Sequence, residues 1–181
     1  MRYFLTSRCP HVSRIVLVES GSRHLIGGVL PFLRSQFGGF LMDLVTCYAG
    51  LPEGLDPRSD GVFRVGEYRG KEGRARLFRE LKSRRPSVLV MICSAEPIMT
   101  KWKWALAWHL PCKVLIVNEN GDCFWLDRAN WRTVCRFVLF RAGLSGADAV
   151  PTLLRVASFP LTVTYLLLYA AVIHLRRKVH G

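Results

Sequence analysis

Five strand-length runs of aliphatic and β-branched residues, separated by helix-length segments, constrain this chain more than any other feature. They are RIVLVE at Arg14–Glu19, DLVTCY at Asp43–Tyr48, Val62–Val65, SVLVMIC at Ser87–Cys93 and Lys113–Val117. Between them the spacing predicts helices over Leu25–Phe37, Gly73–Ser83 and Pro97–Leu110. Nearly continuous apolar strands are covered on both faces, and alternation with helices implies parallel crossovers. The expected fold is therefore α/β: a Rossmann-like parallel sheet of about five strands with helices on both faces, plus a carboxy-terminal membrane helix. Gly27, Gly28 and Pro31 weaken the first helix, because glycine lowers helix propensity and proline removes a backbone donor. No internal repeat is present.

At 181 residues, half of them apolar, the chain can form one domain with a real core plus an appendage. The expected organisation is an α/β domain over 1–126, an amphipathic interfacial helix and connector over 127–146, and a membrane anchor with a basic tail over 147–181. The anchor rests on Val156–Ile173, VASFPLTVTYLLLYAAVI, which carries no charge and is flanked by Arg155 and the Arg176-Arg177-Lys178 cluster. At about 1.5 Å per residue it reaches roughly 27 Å, the short end for a span. Basic residues at both ends pull both toward the cytoplasm, so a re-entrant anchor and a short span stand level. Upstream, Trp131–Leu144 mixes arginines with Phe137, Val138, Leu139 and Phe140, as an interfacial helix does. The first twenty residues lack a secretory signal, so the α/β domain is expected in the cytoplasm.

The net charge of +13 implies anionic company: phospholipid, a phosphorylated ligand or nucleic acid. Arg64–Arg85 concentrates it, with nine basic residues against three glutamates. Membrane apposition is favoured over a plain solvated helix, and both over nucleic acid, since no recognition-helix or stacking motif accompanies the charge. Trp102, Trp104 and Trp108, interleaved with Lys101, Lys103 and His109, read as core packing or an interfacial belt, with stacking on a sugar or base as the sharper alternative.

In an open parallel sheet of order 3-2-1-4-5, ligands bind outside the carboxyl ends of the strands, where the order reverses between the first and fourth. Three loops converge there: Glu19-Ser20-Gly21-Ser22-Arg23-His24, Cys93-Ser94-Ala95-Glu96-Pro97, and Asn118-Glu119-Asn120-Gly121-Asp122. Small residues entering a helix suit an anion. The candidate substrate-binding residues are Ser20, Gly21, Ser22, Arg23, His24, Ser94, Lys101, Asn118 and Asn120, with Arg23 and Lys101 holding a phosphate. Glu19, Glu96 or Glu119 is the candidate base. The plainer alternatives are N-caps for the serines, helix-first-turn roles for Glu19 and Glu96, and a tight hairpin turn at Asn120-Gly121. No GxGxxG, GxxxxGK[ST] or GxSxG motif occurs, which removes the main support for dinucleotide, nucleoside-triphosphatase and hydrolase readings, and no cofactor is expected. The six cysteines form no CxxC pair and read as reduced thiols; His109, Cys112 and Cys123 match no zinc spacing, so no metal is expected.

Strand–helix alternation, the small-residue turn Ser20-Gly21-Ser22-Arg23-His24 and a membrane segment in so short a chain resemble the amino-terminal half of GT-B glycosyltransferases. More narrowly, they resemble the membrane-anchor subunit of split N-acetylglucosaminyltransferases. That family's turn is typically Ser-Gly-Gly-His; here Ser22 replaces the second glycine and Arg23 is inserted. The resemblance spans residues 14 to 120 and implies a sugar nucleotide, glycan or lipid-linked saccharide assembly, and a second subunit or another copy of the chain to complete the cleft. The anchor lies at the carboxyl end here, whereas many members carry it in front. The MICSAEP to DRANW string is also similar to a bacterial membrane-associated family, to which the likeness attaches no activity. The alternatives are a non-catalytic membrane adaptor and a nucleic-acid-binding module.

Overall fold

Five parallel strands and one antiparallel edge strand form a single sheet in a computed structural model that describes all residues except 1–2, 6–10, 22–23, 56–60, 95–97, 145–148 and 181. The strands are β1 (Arg14–Val18), β2 (Leu41–Thr46), β3 (Gly61–Arg64), β4 (Val88–Cys93), β5 (Lys113–Asn118) and β6 (Cys123–Trp125). Their order is β3-β2-β1-β4-β5-β6, and β5 and β6 pair antiparallel through Leu115 with Trp125 and Val117 with Cys123. This is the doubly wound order, with the reversal between β1 and β4 as the alternation implied.

Helix α1 (His24–Phe37) connects β1 to β2, α2 (Gly70–Ser83) precedes β4, and α3 (Thr100–His109) connects β4 to β5. Alternate strand residues divide the core. Ile15, Leu17, Met42, Leu44, Val88, Val90, Ile92, Leu115 and Val117 pack with Ile26, Val29, Leu30 and Leu33 of α1. Right-handed crossovers place α2 and α3 on the opposite face, where Leu77, Leu81, Leu106 and Ala107 are buried. Phe78 of α2 stacks on His109 at 4.4 Å and meets Trp102 edge-on at 6.2 Å, so α2 and α3 lie side by side.

Helix α1 continues through Gly27, Gly28 and Pro31 despite their low propensity. Its four buried aliphatic residues supply about 1.5–3 kcal/mol each, which outweighs a glycine cost of about 1 kcal/mol per residue. β2 starts two residues earlier than its sequence run, because Leu41 pairs with Arg14 and extends the ladder. Below it, buried Asp43 accepts from Arg14 at 3.0 Å and Arg84 at 2.8 Å, tying β1 and β2 to the end of α2.

The chain divides into two compact units, Met1–Trp131 and Arg132–Gly181. In the second, α4 (Trp131–Arg141) ends where Gly143, at φ 66°, and Leu144 donate back to Phe140 and Leu139. It exposes Val138, Leu139 and Phe140. Helix α5 (Ala149–His180) is continuous through Pro160. Among the described residues no helix is long and apolar enough to cross a membrane, so the spanning helix expected over Val156–Ile173 is not supported. That stretch is short and carries Pro160 and hydroxyls within it, with Thr162 and Thr164 donating to the carbonyls of Ser158 and Pro160. Its side chains from Phe159 to Tyr169 that are large and apolar are nonetheless exposed all round the helix.

Candidate anion-binding cleft

The carboxyl edge of the sheet begins at the switch point between β1 and β4. Glu19 and Ser20 are buried; the Glu19 amide extends the ladder to Val45, and the Ser20 hydroxyl donates to the Ile92 carbonyl at 2.6 Å. Gly21, at φ 80°, takes a left-handed conformation that suits glycine, and its carbonyl accepts from Tyr48. Ser20 therefore stitches β1 to β4 across the reversal. Ser94, at the end of β4, has a buried hydroxyl with no hydrogen-bond partner among the described residues. Ser22, Arg23 and Glu96 lie outside the described residues, and His24 is placed only as the first residue of α1.

The β5–β6 connection is a hairpin turn. Asn118 Oδ1 accepts from the amides of Asn120 and Asp122, Asn118 Nδ2 donates to Asp122 Oδ2, and Gly121 carries a φ of 82°. The side chains of Asn118 and Asp122 are thus engaged within the turn, with Glu119 and Asn120 exposed on it. Just beyond, Lys113 and Asp127 form a buried ion pair at 3.0 Å, and Asp127 also accepts from the amide and side chain of Asn130. Burial raises the Asp127 pKa, but hydrogen bonds from Lys113 and Asn130 and the Lys113 charge outweigh it and hold the carboxyl below its usual value.

An open cleft lies one layer outward. β3 and β4 exit on the same edge, so the amino ends of α2 and α3 meet beside each other, and between them opens a cleft of about 760 Å³. One wall is the 3-10 turn after β3 and the start of α2, with Tyr68, Arg69, Gly70 and Arg74. The other is the start of α3, with Met99, Thr100, Lys101 and Trp102. Neither helix has a side-chain cap: Arg69 and Met99 occupy the cap positions without a side-chain hydrogen bond. The helix dipoles favour negative charge at both amino ends.

Each part of the cleft is held. Tyr68 donates its hydroxyl to Glu80 at 2.7 Å, and burial, then that carboxylate, pushes its pKa up to about 12. Gly73 packs so closely on the Tyr68 backbone that a Cβ there would clash. Arg69 and Arg74 anchor through Nε to the carbonyls of Gly66 and Gly70, both at 3.2 Å. Met99 stands at φ 55°, an uncommon conformation for a side-chain-bearing residue, at the mouth of α3. Of the substrate-binding candidates among the described residues, Lys101 lines this cleft, as does Trp102, whose stacking on a sugar or base was the sharper alternative; Tyr68, Arg69, Arg74 and Met99 were not singled out as ligand residues. The basic run and the tryptophan cluster were the signals that pointed toward them.

No protein-family model matches this chain, and no curated protein matches it. Among solved structures, it is similar to UDP-D-quinovosamine 4-dehydrogenase from Vibrio fischeri, at 12% identity and a TM-score of 0.39, over 66% of this chain and 97% of that one.

Proposed function

We propose that this chain is a membrane-attached Rossmann-like module that holds a phosphorylated ligand, a sugar nucleotide or lipid-linked saccharide phosphate, between α2 and α3. The observation that carries the reading is the convergence of Arg69, Arg74 and Lys101 with two uncapped helix amino ends in one cleft. That is the chemistry of phosphate binding, and Trp102 beside it offers a ring face for a sugar or base. The resemblance to GT-B halves narrows the ligand to glycan precursors and implies that a second subunit or copy completes the site. The apolar exposed length of α5 supports attachment to lipid.

The cleft lining supplies cations, helix amino ends and rings, so the same observation also favours the reading of a non-catalytic partner half that binds and presents its ligand. Titration calorimetry on the detergent-solubilised full chain tests the ligand that both readings share. Uridine diphosphate N-acetylglucosamine is expected to bind more tightly than inorganic phosphate, with affinity falling as salt rises. Lys101→Ala is expected to weaken it about 10- to 150-fold, the range for hydrogen bonds to charged groups. Binding of neither probe at low salt would sink the proposal.

A further inference from the structure

We infer that the outer surface of the α2–α3 layer is a docking face for an anionic phospholipid bilayer. The inference rests on the membrane reading of α5 but concerns a different surface. Phe78 packs α2 and α3 side by side, so their outward residues form one broad face. On it Lys71, Arg79, Lys82 and Lys101 are exposed and have no ion-pair partner among the described residues. Two neighbouring cations are engaged internally: Arg76 with Glu80 and the Tyr68 ring, Arg84 with Asp43 and the Phe63 ring.

Beside these cations α3 exposes two tryptophans, Trp104 at 41% and Trp108 at 70%. Indole is most favourable where an apolar body meets a wet polar edge, the headgroup layer of a bilayer. Lysine and arginine near such a layer contribute about 1 kcal/mol each when its lipids are anionic. A cationic face with projecting indoles thus complements an acidic lipid surface in both charge and polarity. Docking by this face also brings the α2–α3 cleft to the bilayer, where a lipid-linked phosphate would be presented.

The full chain in nanodiscs provides the test, with lipids brominated just below the headgroup as quenchers. Phosphatidylglycerol-containing discs are compared with neutral phosphatidylcholine discs, and the Trp108 signal is the difference between wild type and Trp108→Phe. In anionic discs Trp108 is expected to be quenched at low salt and released at 0.5–1 M salt, where the Debye length falls toward about 3 Å. Arg79→Gln with Lys82→Gln, both exposed and away from the cleft, is expected to weaken docking about 30-fold while the variant still co-elutes with the disc. Unquenched Trp108 in anionic discs, or equal quenching in neutral ones, overturns the docking face even if α5 keeps the chain on the disc. A chain that does not co-elute with discs overturns the membrane reading and this inference with it. Retention on single-stranded RNA that the same double variant abolishes, without lipid quenching, assigns the face to nucleic acid instead.

Discussion

Replacing Asp127 with asparagine removes one member of the most deeply buried ion pair in the described structure. The Lys113 and Asp127 side chains are 0% and 2% exposed, and the carboxylate accepts from Lys113 at 3.0 Å and twice from Asn130. Breaking a buried pair from one side costs about 3–5 kcal/mol, because the remaining charge stays in a poorly solvating site. For a chain of this size each kcal/mol shifts Tm by about 2–4 °C, so Asp127→Asn is expected to lower it by roughly 6–20 °C. The pH dependence has a fixed sign. The folded Asp127 pKa lies below its unfolded value, so the carboxylate's contribution is full above the unfolded value and is lost as pH falls through the folded one. The difference between wild type and Asp127→Asn should therefore narrow as pH falls below about 4. Thermal melts of the full chain from pH 7 to 3, read by near-ultraviolet circular dichroism, to which Trp125 contributes with its ring centroid 4.9 Å from Lys113 Nζ, provide the assay. A variant within about 0.5 kcal/mol of wild type at pH 7, or a difference that does not change with pH, would refute the reasoning.

Gly61→Ala is expected to destabilise the fold by about 1–3 kcal/mol, since its Cβ would run into Asp43 Oδ1 and Arg84 Nη1; a denaturant midpoint equal to wild type contradicts that. Paired substitution of Leu166 and Leu168 by arginine, which puts two charges on the exposed apolar surface of α5, should release the chain from membranes in flotation assays. Unchanged flotation would remove α5 as the attachment.

The sheet order was legible because each β-branched run is too short for a helix and each intervening segment too long for a hairpin. The Asn118–Asp122 turn was legible for a local reason: asparagine and glycine carry their own turn chemistry. The cleft was not. It depends on the crossover that sets the start of α2 beside the start of α3, about thirty positions away in sequence, and on a left-handed Met99 that no propensity announces. Arg69 and Arg74 were visible only as part of a charge run, whose solvated and ligand-facing members look alike before folding. The Lys113–Asp127 pair was hidden similarly, because a lysine opening an apolar strand reads as a surface residue.

The most direct test of the cleft is a Trp102 emission titration with uridine diphosphate N-acetylglucosamine on the full chain in detergent. A saturable change is predicted in wild type, absent in Trp102→Phe, displaced about tenfold or more to higher ligand in Arg69→Ala and Lys101→Ala, and unmoved in Ser94→Ala at the strand switch point. A curve that shifts with Ser94→Ala and ignores Arg69→Ala and Lys101→Ala would contradict the account, because it would return the ligand to the crevice between β1 and β4.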